Sequence, residues 1–167
     1  VELMGGDTTQ GPLTIGITIF GLVPPRQALV RHGAQPGDDI YVSGTIGDAR
    51  LALEVFRGHA SLDADDWDSM RLRMEMPTPR IALGVALRGV ANAAIDLSDG
   101  LLGDLGHVLQ RSSVGATLST DWLDTAQGLS PPVAALPWSR RLEWVLSGGD
   151  DYELLFTASA DHRAEVE

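Results

Sequence analysis

The chain has no cysteine and no lysine among its 167 residues. Without cysteine there is no thiolate nucleophile, no disulfide and no Cys-ligated zinc or iron–sulfur centre. That absence fits a reducing cytoplasm. Without lysine there is no Schiff-base chemistry and no P-loop lysine for a nucleotide phosphate. Apart from 4 histidines, all 12 basic side chains are arginine. Phosphate bound here must therefore meet backbone N–H groups, arginine or a bridging metal. Aromatic residues make up only 5%, so the core has to be aliphatic. No apolar run approaches the roughly 18 residues of a membrane span. No basic stretch followed by an apolar one marks a signal peptide. Acids outnumber bases 23 to 12, for a net charge of −11. A field of that sign repels a phosphate backbone, so nucleic acid is not an expected partner, and with no membrane-length apolar run neither is a membrane.

Hydrophobic residues reach 44%, enough for a sizeable core. The chain opens at Val1 almost directly on a glycine-rich motif and closes on a helical pattern. A piece of a longer protein is the expectation. The Ile- and Thr-rich run 12–23 reads as a strand, and Pro24–Pro25 as a linker. Residues 1–25 are expected to be the last segment of a truncated N-terminal domain, and 26–167 a C-terminal domain incomplete at its end. Within the latter, strands are expected at 39–44, 92–98, 115–120 and 152–158. Helices are expected at 47–58, 68–76, 77–89, 99–113, 139–149 and from 161 onward, the 139–149 helix with Ser139 as N-cap. An acidic loop spans 59–69, and loop with broken helix spans 125–137. Ile81, Val85 and Leu87 are expected to be buried. Leu101, Leu102, Leu105, Val108 and Leu109 form one apolar stripe. The class is α+β, an α/β sandwich with a mixed sheet and helices on one face.

Three glycine-and-aspartate turns stand next to apolar elements. In "AIDLSDG" (94–100), Ser98 or Asp99 can cap the following helix. Capping does not explain Asp96, an acid ending an apolar strand, which needs a partner or a metal. Asp104 reads as a solvated helix-face residue. In "GGDTT" (5–9), glycines permit close backbone approach, and Asp7 with two threonines supplies hard oxygen donors; taken alone, plain turn chemistry is the favoured explanation. In "SGGDDYELLF" (147–156), Asp150 and Asp151 precede a strand. Carboxylates at three such junctions, in a chain without lysine, point to a magnesium–phosphate site. The four histidines show no ligand spacing.

These blocks, with "ALVRHGAQPGDDIYVSGTIGDARLAL" and "PTPRIALG", resemble the thiamine-monophosphate kinase family. That family belongs to the superfamily of aminoimidazole ribonucleotide synthetase-like ATP-binding proteins. The resemblance runs along nearly the whole chain. It implies ATP-dependent phosphorylation of thiamine monophosphate to thiamine diphosphate by direct in-line transfer among Mg²⁺ ions, in a homodimer. It implies ATP contacts at Gly6, Asp7, Arg31 and Ser98, and Mg²⁺ at Asp7, Asp96 and Asp99. Asp150 would contact the thiamine phosphate, at a position where the family often has Glu. Further metal-binding acids are expected upstream, so the isolated chain is expected to be inactive. Two other readings stand beside this one: another phosphate-activating synthetase of the superfamily, and a non-catalytic nucleotide-binding or dimerisation module.

Overall fold

The computed structural model describes residues 2–125 and 128–166. Its sheet is built around β3 (Leu154–Ser159), whose four inner residues are buried, so both faces are covered. β3 lies between β1 (Asp38–Val42) and β2 (Ala91–Asp96). Both pairings are antiparallel, with Val42 opposite Leu155 and Asp96 opposite Leu154. The end of β1, the end of β2 and the start of β3 therefore meet at one end of the sheet. Three loops gather there: 43–47, 97–100 and 148–153.

Side chains alternate between the faces of a strand. Ile40, Val42, Ala93, Ile95 and Leu155 face a large core, while Tyr41, Ala94 and Phe156 face a small one. α1 (Asp48–Phe56), α4 (Leu101–Ser112) and α7 (Trp138–Ser147) cover the large core, and α2 (Ala64–Glu75) packs on α1. α1 contributes Leu51, α4 contributes Leu101, Leu105 and Val108, and α7 contributes Trp144 and Val145. Two short helices, α5 (Asp121–Asp124) and α6 (Pro131–Ala134), bridge α4 to α7. The small core lies under α3 (Ile81–Ala86) and α8 (Arg163–Val166), through Leu83, Leu87 and Val166. On the outer side of β2, Ala94 N–H donates to the Val30 carbonyl at 2.8 Å. Gly33 lies so close to this strand that a Cβ there would fall 2.5 Å from the Asn92 carbonyl oxygen.

The α+β class is borne out. The described strands are all antiparallel, where a mixed sheet was expected, and the short helices α3 and α8 cover part of the second face. Neither 12–23 nor 115–120 forms a strand. A strand needs a neighbour to accept its backbone hydrogen bonds, and neither run has one among the described residues. Leu13, Ile15, Ile17 and Ile19 alternate as a strand would, yet all lie open to solvent. α2 begins at Ala64 rather than 68, because the Asp63 carboxylate caps it by accepting from Asp66 N–H at 2.9 Å. α7 begins at Trp138, so Ser139 lies inside its first turn and is not the N-cap. Ile81 and Val85 are exposed, since α3 turns Leu83 inward instead. Leu102 points outward from α4. Residues 126 and 127 of the expected 125–137 loop, and residue 167 of the last helix, lie outside the described residues.

Candidate functional site

The 94–100 and 147–156 turns are stitched together by their backbones. Leu97 N–H donates to the Glu153 carbonyl and Tyr152 N–H to the Leu97 carbonyl, both at 2.8 Å. Asp150 N–H donates to the Ser98 carbonyl at 3.0 Å. Two glycines make the approach possible. A Cβ on Gly149 would lie 2.4 Å from the Ser98 oxygen. Gly100, at φ +101°, would push a Cβ to 2.9 Å from the backbone of Ser147 and Gly148. Antiparallel pairing of β2 and β3 brings the loops to one place, and the glycines let them touch.

Within the first of these turns the capping is reversed from expectation. Neither Ser98 nor Asp99 caps α4, whose N-cap is Gly100. Asp104, one turn inside the helix, is 2% exposed, and its carboxylate accepts from the N–H groups of Ser98 and Asp99, both at 2.9 Å. It is a buried brace for the loop, not a solvated face residue. The carboxylates of Asp96 and Asp99 are thereby left free to face solvent. Ser98 is half-buried between them.

The 150–153 turn alternates outward and inward. Asp150 and Tyr152 are exposed, and both hold positive φ, 68° and 50°. Asp151 and Glu153 are buried. The Asp151 carboxylate accepts from Gly47 N–H at 2.8 Å and Ala49 N–H at 3.2 Å, at the start of α1. Glu153 receives hydrogen bonds from Ser43, Arg73 and both donor sides of Arg80. Arg73 also reaches Asp48 at 3.3 Å and the Thr45 carbonyl at 2.9 Å. One buried ionic lattice thus joins the 43–48 loop, α2, the start of α3 and the 150–153 turn.

Burial pushes the Asp151 carboxyl up to about 6, against the pull of the Gly47 and Ala49 N–H groups; Asp48 adds to the rise and Arg73 opposes it. An acid whose pKa is raised on folding stabilises the fold fully below its unfolded value of 3.8. That contribution is lost as pH climbs through about 6. Asp151→Asn cannot titrate. Comparing melting temperatures, we expect the gap between wild type and this variant to shift in the variant's favour from pH 4 to pH 7. A gap that stays constant would contradict the buried acid's role.

The structure brings Arg31 and Asp96 together, with Arg31 Nη2 3.8 Å from Asp96 Oδ1 and both side chains at least half exposed. They line a groove of about 450 Å³ with Arg80 and an apolar floor that includes Leu29, Ala94 and Leu154. Gly6 and Asp7 are not brought to this groove by any contact. They lie in an exposed segment without regular secondary structure, where the Asp7 carboxylate accepts from Thr8 N–H at 2.8 Å. Among the described residues, no group of three or more His, Asp or Glu side chains stands ready to hold a metal. Asp96 and Asp99 still fit Mg²⁺ by donor chemistry: two solvent-facing carboxylates on one braced loop. Mg²⁺ takes one or two protein carboxylates and completes its shell with water and phosphate oxygens.

Asp48, Arg73, Arg80, Asp104 and Glu153 were not singled out as working parts of the site, and Asp151, grouped with the metal-facing acids, is instead buried against the start of α1. Asp104 carried a signal, since it stands three residues after Leu101 and four before Val108, on the inward stripe. Glu153 carried another, as an acid inside the apolar run "YELLF".

No protein-family model matches the chain. It is 45% identical over 168 residues to the thiamine-monophosphate kinase of Escherichia coli (strain K12), covering 100% of this chain and 51% of that protein. It is 45% identical over 169 residues to the thiamine-monophosphate kinase of Haemophilus influenzae, covering 100% and 50%. The crystal structure of thiamine-monophosphate kinase from Stenotrophomonas maltophilia K279a superposes with TM-score 0.77 at 45% identity, over 86% of this chain and 46% of that one. A structure described as "AaThiL complexed with AMPPCP and TMP" gives TM-score 0.59 at 33% identity, over 80% and 43%. The resemblance seen in the motifs is borne out along the whole sequence. The chain spans about half the length of the curated relatives it matches.

Proposed function

We propose that this chain is part of a thiamine-monophosphate kinase, and that the whole enzyme transfers the γ-phosphoryl group of ATP to the phosphate of thiamine monophosphate. The observation that carries the reading is the backbone stitching of the 97–99 and 150–153 loops. It holds Ser98 beside Asp150, which supports assigning Asp96, Ser98 and Asp99, with Arg31 paired to Asp96, to the nucleotide side and Asp150 to the acceptor side. The crystallised relative complexed with AMPPCP and TMP supports binding of both a nucleotide and the acceptor.

Phosphoryl transfer asks a protein for position and charge neutralisation more than for acid–base chemistry. Donor and acceptor are both phosphates and repel each other. Mg²⁺, when bound, supplies the neutralising charge that a lysine-free site lacks. Asp96 and Asp99 would hold it, and Asp7 would join them once the 1–25 segment is seated by the rest of the enzyme. Gly6 would let that segment approach the ATP phosphates. Arg31 now rests beside Asp96 and would turn to the nucleotide. Asp104 fixes the loop so that both carboxylates keep their place. No general base is needed, because an ionised phosphate oxygen is already nucleophilic.

The proposal places a domain boundary at Pro24–Pro25, a homodimer for the whole enzyme, and the cytoplasm as its location. No helix among the described residues is long and apolar enough to cross a membrane. The test is ADP release and thiamine diphosphate formation by the intact enzyme, by its Asp96→Asn variant and by this chain alone. We expect activity in the first, a loss of at least tenfold in turnover with unchanged melting temperature in the second, and none in the third. An active isolated chain, or an Asp96→Asn enzyme with wild-type kinetics, would overturn the assignment.

A further inference from the structure

Tyr152 is held in a conformation that its own chemistry disfavours. A bulky residue at φ 50° crowds its Cβ against the backbone, and left-handed positions usually go to Gly, Asn or Asp. Asp150, two residues earlier, is of the tolerant kind; Tyr152 is not. Nor does packing explain the ring, which is 45% exposed. What holds the conformation is the pair of buried neighbours. Asp151 is tied to the start of α1, Glu153 is clamped by Ser43, Arg73 and Arg80, and Tyr152 N–H is bound to the Leu97 carbonyl. Strain sustained by such surroundings and spent on an exposed side chain marks a working position.

Resting on the function proposed above, we infer that Tyr152 is an acceptor-contacting residue that sets specificity for the cationic heteroaromatic part of the substrate. Thiamine monophosphate carries a phosphate at one end and two aromatic rings, one of them a thiazolium cation. Asp150, assigned above to the acceptor, and Tyr152 are both exposed on this one turn, two residues apart. A tyrosine face attracts a cation laid over it and stacks on a flat ring. ATP, anionic at its reacting end and uncharged at its ring, gains no cation–aromatic attraction from such a surface.

The test uses the intact enzyme and three proteins: wild type, Tyr152→Phe and Tyr152→Gly. The KM for thiamine monophosphate should rise about tenfold in Tyr152→Gly, the scale of a lost cation–aromatic contact, and stay within about twofold in Tyr152→Phe. The KM for ATP should be unchanged in both. The melting temperature of Tyr152→Gly should not fall, because glycine relieves the positive φ. A structural tyrosine would behave otherwise, with melting temperature falling and both KM values moving together; that result overturns the inference. So does an unchanged acceptor KM in Tyr152→Gly. A wild-type enzyme that fails to phosphorylate thiamine monophosphate instead sinks the underlying function, and is read before either variant.

Discussion

Replacing Glu153 with alanine is expected to lower the free energy of unfolding by about 3 kcal/mol, the scale of removing one partner from a buried ion pair. Glu153 is 1% exposed and is the only carboxylate that Arg80 meets among the described residues. Its loss leaves Arg80 without a counter-charge and Arg73 with only Asp48. Chemical denaturation followed by circular dichroism measures the effect; a loss below about 1 kcal/mol would mean the lattice is dispensable. The pH dependence has the opposite sign to that of Asp151. Burial raises the Glu153 carboxyl, but hydrogen bonds from Arg80, Ser43 and Arg73 outweigh it and hold it below its ordinary value. A depressed acid stabilises the fold above its unfolded pKa and loses that contribution as pH falls through the folded one. The acid limb of wild-type stability should therefore be steeper than that of Glu153→Ala.

Gly149→Ala is expected to lower turnover of the intact enzyme about a hundredfold, the scale of displacing reacting groups by about 1 Å. The new Cβ would sit 2.4 Å from the Ser98 carbonyl oxygen, which is backbone and cannot swing aside. The two loops would have to part, and Asp150 would leave its place opposite Ser98. Stability should fall by only about 1–3 kcal/mol, because the clash lies at the rim of the core. Gly106→Ala is the control: nothing lies within 4 Å of a Cβ there, and the residue is in mid-helix. It should melt at or above the wild-type temperature, with full turnover. Equal kinetics in the two variants would dissociate loop contact from catalysis.

Much of this was legible along the chain. β1, β2 and β3 fell within a few residues of their expected bounds, as did α1 and α4, because short aliphatic runs flanked by Gly and Asp turns signal both elements and their ends. Arg31 and Asp96 were both singled out, and the fold brings them together. The errors have physical reasons. Leu102 and Asp104 exchange places on α4, since composition favours leucine inward, while the loop's unpaired N–H groups draw a carboxylate into the core. Tertiary demand overrode the apolar stripe. The run at 12–23 has every local mark of a strand, but strand structure is a relation between two segments, and local pattern supplies only one. The lattice of Asp48, Arg73, Arg80 and Glu153 reaches from position 48 to position 153, so no window of adjacent residues could reveal it.

The order β1-β3-β2 puts the last strand made at the centre of the sheet. A ribosome delivers Asp38 and Asp96 long before their partners Ser159 and Leu154. Until then the nascent chain holds two strands with no surface between them, and folding must wait for contacts that close loops of more than a hundred residues on one side. Such topologies fold slowly and expose apolar edges meanwhile. Synthesis that stalls before residue 154 would leave a chain with neither a sheet nor the junction of loops, and so a client for chaperones and proteases rather than a shortened but folded protein.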